Sequence, residues 1–369
     1  MFMPSKRFRD SWVVATVFAL FSRVSAAANA REPAVVNRLK PPRRRLIRIL
    51  ALGAPVVAIA LGIALGGPAQ PPPMTSINDP FKTVDFSDLP PVRTFPATDG
   101  QLLAYREYAP IGAARGSVTL IHGSSASSSS MHPIAKALAR AGYEVFAVDV
   151  RGHGRSGIKG HIGFVGQLES DLADFVRVVQ PPKPSTLVGF SSGGGFVLRF
   201  AGSKYQDNFG SYLLLSPFIS QDAPNQSPGS GGWVSVGVPR IVALSVLNAV
   251  GISAFNSLPV MSFALNEQAR SFLTTQYDFN LATNFRPEPD YMANIRRVAQ
   301  PVRILAGDAD EVFRTAELEG IFRAAGKPWD VNLLPGIGHI ELTLRPAAIA
   351  AIVHDVDSLQ FAGLSPSAG

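Results

Sequence analysis

Short apolar runs alternate with amphipathic stretches from residue 92 onward. The runs have the length of β-strands and lie at residues 93–98, 102–108, 117–121, 143–150, 211–215, 302–305 and 330–334. Between them, residues 133–141 and 167–179 carry apolar side chains at helical spacing. This alternation predicts an α/β fold, with a mostly parallel sheet and crossover helices on its faces. Functional residues are then expected at the carboxyl ends of the strands.

The first two runs flank Asp99-Gly100, which is a hairpin signal. Pro96 lies within the first run and lacks a backbone N–H group. Because proline cannot donate to a neighbouring strand, the first run is expected at a sheet edge.

A further apolar run, residues 186–188, leads into Gly189-Phe190-Ser191-Ser192-Gly193 and a helix-compatible stretch at 196–201. The order of strand, sharp turn and helix is typical of a nucleophile elbow, which presents a serine on a strained reversal of the chain. Gly189 and Gly193 supply the small residues that such a crowded turn requires. The amides at the start of the helix would favour negative charge that develops beside Ser191. We therefore predict Ser191 as a nucleophile.

Composition and charge exclude several other classes of function. The chain has 369 residues, no cysteine and a formal net charge of +7. Residues 1–50 hold 11 Lys and Arg against 2 Asp and Glu, so the remaining chain is slightly negative. A nucleic-acid-binding domain needs a basic face, so no nucleic acid is expected as a partner. The absence of cysteine excludes disulfides, thiolate catalysis and Cys-ligated zinc.

The N-terminal region contains an apolar run of 19 residues, 49–67, without a charge. As a helix this run would be about 28 Å long, close to the thickness of a bilayer core. Four arginines precede it: Arg43, Arg44, Arg45 and Arg48. The positive-inside rule then predicts a cytoplasmic segment 1–48, a transmembrane helix 49–67 and an extracytoplasmic catalytic domain. A cleaved signal peptide, which would release a secreted protein, is the alternative because residues 67–69 are small.

Prolines and a break in the strand rhythm set the other predicted boundaries. Residues 68–91 contain seven prolines and are expected to form a stiff tether. One α/β domain is predicted over 92–362, with a tail at 363–369. The alternation of strands and helices stops between about 217 and 300, where a helical cap insertion is expected. Arg240 is the one charged residue in 233–265, so this stretch either forms a small core or lines a pocket for an acyl chain.

Motifs follow several of the predicted strands. They are His122-Gly123-Ser124, Asp149-Val150-Arg151-Gly152-His153-Gly154-Arg155-Ser156-Gly157, the elbow, Gly307-Asp308-Ala309-Asp310 and Gly338-His339. Over residues 92–362 the chain resembles the α/β-hydrolase family, and within it the lysophospholipase and monoacylglycerol-lipase-like branch. The resemblance implies an α/β-hydrolase fold and a triad in the chain order Ser191, Asp310, His339.

The residues themselves leave alternatives for the base and the acid. Two histidines follow the elbow: His339 in a Gly-rich turn after a strand, and His354 in a helical pattern at 347–356. Asp308 and Asp310 both follow the strand at 302–305, and Asp222 is a third candidate. Asp308 is a turn-forming residue if Asp310 is the acid.

Two further motifs have competing interpretations. The amide of Ser124 could join that of Ser192 as an oxyanion hole, or residues 123–124 could form an ordinary turn. His153 and His161 could be a metal pair, but the sequence offers no third ligand, so neither metal nor cofactor is expected.

These residues favour a membrane-tethered serine hydrolase that cleaves carboxylic esters, with a lipid-like or monoacyl substrate. The serine at the elbow argues against the branches of this fold that use an aspartate nucleophile. Acyl transfer, or cleavage of amides or peptides, would employ the same residues. A catalytically silent binding protein on the same fold is the alternative from another class.

Overall fold

The computed structural model describes residues 41–361. The first 40 residues of the predicted cytoplasmic segment and the predicted tail 363–369 lie outside the described residues. The strands are β1 (Val92–Pro96), β2 (Leu102–Tyr108), β3 (Ser117–Ile121), β4 (Glu144–Val148), β5 (Ser185–Phe190), β6 (Ser211–Leu215), β7 (Val234–Val236), β8 (Pro259–Phe263), β9 (Gln276–Asp278), β10 (Val302–Gly307) and β11 (Asp330–Leu334). The α-helices are α1 (Pro41–Leu65), α2 (Thr75–Asn78), α3 (His132–Arg140), α4 (Gln167–Val179), α5 (Ser192–Ala201), α6 (Val238–Ala249), α7 (Glu267–Phe272), α8 (Phe279–Asn284), α9 (Tyr291–Arg297), α10 (Leu318–Ala324) and α11 (Pro346–Phe361).

An eight-stranded sheet forms the centre of the molecule. Its order is β1-β2-β4-β3-β5-β6-β10-β11. The pairs β1–β2 and β2–β4 are antiparallel, and the other pairs are parallel. The predicted mostly parallel sheet is confirmed. Pro96 lies in the outermost strand, β1, as its missing N–H group requires.

Two apolar cores lie on opposite faces of this sheet. Successive side chains of a strand point to opposite faces, so Leu187 enters one core and Val188 the other. Helices α4, α5, α9 and α10 cover the first face, and α3 and α11 cover the second. β5 is buried along its whole length between them. The strand that carries the elbow is therefore held firmly at the centre of the molecule.

The insertion between β6 and β10 is a cap with both helices and strands. Helices α6–α9 lie in it, together with an antiparallel sheet of order β7-β8-β9. The expectation of a purely helical cap is therefore corrected. β7 and β9 have three residues each, too few to show a periodic pattern in the sequence.

Helix α1 packs against the cap through a small residue. A Cβ atom added to Gly62 would lie 3.0 Å from the carbonyl oxygen of Pro239, so the two backbones approach closely. The Arg240 side chain donates a hydrogen bond to the carbonyl oxygen of Ile63 at 2.8 Å.

In the part of the chain whose side chains the structure describes, which begins at residue 53, none of the helices combines the length and apolar character needed to cross a membrane. The transmembrane helix predicted over 49–67 begins before that part and stays a prediction.

Residues 70–83, here called the strap, contact both the cap and the central domain. The amide of Met74 and the Asn78 side chain each donate to the carbonyl oxygen of Ala264 at 3.0 Å. The Gln70 side chain donates to the carbonyl oxygen of Phe263 at 2.9 Å. Ile77 is buried in the second core. The middle of the segment expected to be a tether is thus packed against the protein.

Candidate active site

The strand-to-helix turn at Ser191 has the backbone of a nucleophile elbow. Ser191 has φ +56° and ψ −121°, a conformation that a residue other than glycine rarely adopts. A Cβ atom on Gly189 would lie 2.3 Å from the carbonyl oxygen of Gly193, and one on Gly193 would lie 2.2 Å from that of His122. Both distances are far below contact, so only glycine fits at either position. The predicted turn and the need for both glycines are confirmed.

Ser191, His339 and Asp310 form one hydrogen-bonded row. The Oγ atom of Ser191 lies 3.0 Å from Nε2 of His339. Nδ1 of His339 lies 2.7 Å from Oδ2 of Asp310. All three side chains are almost fully buried. The structure therefore brings together the three residues that the sequence placed in one triad.

The Asp310 carboxylate is held on both oxygens. Oδ1 accepts hydrogen bonds from the amides of Val312 and Phe313, each at 2.8 Å, which leaves Oδ2 facing His339. Burial by itself raises the pKa of this carboxyl. The charge and hydrogen bond of His339, together with the two amides, outweigh burial and hold the pKa of Asp310 below its ordinary value. The carboxylate is therefore ionised at neutral pH and can orient the imidazole.

The competing candidates for the acid and the base lie outside the row of Ser191, His339 and Asp310. Asp308 accepts a hydrogen bond from the amide of Gly336 at 2.7 Å and so fixes the turn after β11. Asp222 is exposed, and its carboxylate accepts from the neighbouring Gln221 side chain. His354 is exposed on α11.

The His339 ring is fixed by contacts that sequence reasoning missed. The Phe190 ring lies 4.8 Å from it, and the Phe313 ring meets it edge-on at 5.2 Å. The backbone amide of His339 donates to Oε2 of Glu311 at 2.9 Å. Phe190 sits inside the elbow motif, and Glu311 and Phe313 follow Asp310 directly. The sequence therefore marked these three residues only by their closeness to the predicted motifs.

Residues 123–125, here called the oxyanion loop, lie beside the nucleophile. A Cβ atom on Gly123 would be 3.4 Å from Cβ of Ser191, which puts the loop in contact with the elbow. Ser192 is the first residue of α5, so its amide belongs to the unpaired N–H groups at a helix start. Gly123 thus contacts Ser191 on one side and Ser192 follows it on the other, and the oxyanion hole formed by the amides of Ser124 and Ser192 stays a prediction.

The cap supplies contacts to the oxyanion loop that the sequence did not suggest. Nε1 of Trp233 donates to Oγ of Ser124 at 2.8 Å. The hydroxyl of Tyr277 accepts from the amide of Ser125 at 2.7 Å. These cap residues lie more than 100 positions from the loop in sequence, and no local motif connects them.

The two histidines considered as a metal pair have separate partners. His153 is fully buried, and its Nε2 atom bonds the Tyr277 hydroxyl at 2.5 Å. His161 instead contacts the Asp278 carboxylate through Nδ1 at 2.5 Å. Burial, with the charge of the neighbouring His122, lowers the pKa of His153 well below its ordinary value. In the part of the chain that the structure describes, no group of three potential metal ligands is present.

Two curated relatives are each 30% identical to this chain over the segment that aligns. One is "Monoacylglycerol lipase" of Mycolicibacterium smegmatis, 30% identical over 131 residues, which are 34% of this chain and 46% of the relative. The other is "Monoglyceride lipase" of Rattus norvegicus, 30% identical over 155 residues, or 40% and 49%. The chain spans about half the length of the curated relatives it matches.

The fold is also found among solved structures. A soluble variant of monoglyceride lipase from Saccharomyces cerevisiae, in complex with a substrate analogue, superposes with a TM-score of 0.56 at 20% identity. The superposition covers 73% of this chain and 94% of the yeast protein. Residues 112–342, more than half of the chain, match the family model described as serine aminopeptidase, S33 (Hydrolase_4). The chain belongs to this S33 family of α/β-hydrolases.

Proposed function

We propose that this protein is a serine hydrolase that cleaves carboxylic esters of lipid-like, monoacyl substrates. The row of Ser191, His339 and Asp310, with contacts of 3.0 and 2.7 Å at a strained elbow, carries the proposal. Strain in the backbone of a residue other than glycine is typical of functional sites. The row requires no cofactor, because all three groups of the reaction are side chains.

Each residue has one role in the proposed reaction. Oγ of Ser191 attacks the ester carbonyl carbon, and Nε2 of His339 takes the hydroxyl proton. The amides of Ser124 and Ser192 donate to the negatively charged oxygen that forms. His339 then gives the proton to the leaving alcohol, and water releases the acyl group by the same steps. Asp310, ionised because its pKa is lowered, orients the imidazole and stabilises its charged form.

The substrate class rests on the surroundings of the row and on the relatives. Aromatic rings of Phe190 and Phe313 contact His339, and Phe218 lies 6.1 Å from Phe313. These side chains give the site an apolar border. Two curated relatives are named lipases of monoacylglycerols.

Esters of increasing acyl length test the proposal. The ratio kcat/KM should rise from acetyl through octanoyl, since each buried methylene contributes up to about 0.8 kcal/mol. A fluorophosphonate probe should label the wild type and leave Ser191→Ala unlabelled. A preference for acetyl over octanoyl esters would contradict the lipid substrate alone. An unlabelled wild type would favour a catalytically silent binding protein.

Amide or peptide cleavage is the second candidate, because the family is described as a serine aminopeptidase. The same row of residues would serve it. Aminoacyl arylamides assayed beside the octanoyl ester separate the two, and faster turnover of the arylamides would replace the ester proposal. Acyl transfer is separated in the same assay by adding glycerol as an acceptor and following the products.

A location outside the cytoplasm stays a prediction of the charge pattern around Arg43–Arg45 and Arg48. Lys204 is exposed on the folded domain and provides a handle for an amine reagent. A membrane-impermeant reagent should label Lys204 in intact spheroplasts. Labelling only after the membrane is broken would place the domain in the cytoplasm.

A further inference from the structure

The cap holds the oxyanion loop by hydrogen bonds on both sides of the Ser124–Ser125 peptide. Trp233 donates to the Ser124 hydroxyl at 2.8 Å, and the Ser125 amide donates to the Tyr277 hydroxyl at 2.7 Å. Oγ of Ser125 donates to the carbonyl oxygen of Thr274 at 2.6 Å, and the Thr274 amide returns a bond to the carbonyl oxygen of Ser125 at 3.0 Å. The loop is therefore attached to the cap as well as to the central sheet.

The cap residues that hold the loop are themselves fixed. The Phe263 ring lies between Trp233, at 5.5 Å, and Tyr277, at 4.6 Å. Phe263 and Tyr277 are each 2% exposed. The Tyr277 hydroxyl donates to Nε2 of His153 at 2.5 Å, and burial keeps that ring neutral by lowering its pKa. A rigid aromatic row therefore supports both bonds to the loop.

The backbone of the loop needs this support. Ser125 has φ +67°, a left-handed conformation that costs free energy for any residue other than glycine. Such a conformation persists only where surrounding contacts impose it. The Ser124 amide precedes this strained residue by one peptide, so its direction depends on the contacts that hold Ser124 and Ser125.

We propose that Trp233 is a positioning residue, which aims the Ser124 amide at the developing oxyanion by holding the Ser124 side chain. The inference rests on the proposed function, since it assigns a task within the same acyl-transfer site. Trp233 touches no reacting atom in this account. Its effect is expected in the transition state, because the amide then bonds a full negative charge.

Trp233→Phe removes the N–H donor and keeps a ring against Phe263. We expect kcat to fall by about 10- to 100-fold, because small displacements of transition-state donors have effects of this size. KM should change by less than about 3-fold, and affinity for a boronic acid transition-state analogue should fall by the same factor as kcat. Trp329→Phe, which contacts Phe322 at 5.1 Å near the start of β11, is the matched control and should leave both values unchanged.

Ser124→Ala completes the test, because it removes the acceptor hydroxyl and leaves the backbone amide in place. Its loss in kcat should equal that of Trp233→Phe, and the double variant should lose no more than either alone. Additive losses, or a loss confined to KM for long-chain esters, would overturn the proposal and make Trp233 a wall of the acyl pocket. Should Trp233→Phe fail to fold, an unchanged kcat in Ser124→Ala would overturn it equally.

Failure of the proposed function gives a different pattern. The wild type would then hydrolyse no ester and take up no fluorophosphonate at Ser191. In the proposed scheme, Trp233→Phe still takes up the probe, more slowly than the wild type, because the nucleophile and base are intact.

Discussion

Asp308 and Asp310 are two residues apart, and the structure gives them different tasks. The Asp308 carboxylate accepts the amide of Gly336, whereas Asp310 faces His339 and accepts two amides of its own turn. Both residues follow the same strand, so spacing alone could not separate them. The resemblance to the α/β-hydrolase family implied that Asp310 is the acid. The contact between Asp310 and His339 agrees with that assignment.

Exchange of each aspartate for asparagine tests these assignments. Asp310→Asn keeps the shape of the side chain and removes its charge. The amide N–H group then faces Nδ1 and leaves the ring proton on Nε2, where it cannot accept the Ser191 proton, so kcat should fall by about 10⁴-fold. Asp308→Asn can still accept the Gly336 amide and should keep kcat within about 3-fold, because it lies outside the row of reacting groups. Steady-state kinetics on an octanoyl ester measure both values. A larger loss in Asp308→Asn would move the acid to that residue.

At the scale of elements, the elbow was predictable because its two glycines stand four residues apart in a short motif. The crowding at Gly189 arises from the backbone of Gly193 in the same turn, whereas the crowding at Gly193 comes from the backbone of His122 at the end of β3. The cap sheet was not predictable in the same way. Its outer strands have three residues each and are stabilised by pairing with β8, which no short window of sequence reveals.

Alanine substitutions at two glycines in helices distinguish the effect of steric crowding from the effect of helix propensity. Gly193→Ala places a Cβ atom 2.2 Å from a backbone oxygen, so α5 must shift, and the free energy of unfolding should fall by about 3 kcal/mol or more. Gly320 lies on the exposed side of helix α10, with nothing within 4 Å of its added Cβ atom. Gly320→Ala should therefore raise the free energy of unfolding by about 0.5 to 1 kcal/mol. Urea unfolding measures both, and equal effects of the two variants would refute this account of the elbow.

At the scale of the whole molecule, the sequence predicted the central sheet and the order of the triad but not how distant segments hold one another. The strap bonds the cap through main-chain oxygens, as in the contact of Gln70 with Phe263, 193 residues away. Trp233 and Ser124 are 109 residues apart. Any residue type supplies a main-chain oxygen, so no sequence pattern marks the bond of Gln70. The bond of Trp233 to the Ser124 hydroxyl joins two side chains that are too far apart in sequence for a local motif.

Three histidines are buried: His122 and His153, whose rings lie 4.8 Å apart, and His132. Burial lowers the pKa of each, although the charge of Asp149 opposes the effect at His122 and that of Asp88 opposes it at His132. Below pH of about 6.5 the unfolded chain therefore binds protons that the folded chain does not. Stability from these groups is present above that pH and is lost as the pH falls.

The free energy of unfolding should decrease between about pH 7.5 and 5.5, because the unfolded chain takes up protons at these histidines that the folded chain takes up only at lower pH. Asp171 and Asp278, whose pKa values burial raises, oppose this trend as they take up protons at lower pH. Urea unfolding across this range measures the slope. His132→Gln should have a smaller slope than the wild type, whereas His354→Gln, altered at an exposed position, should have the same slope. A protein that is equally stable at both ends of the range would contradict the neutral, buried state of these rings.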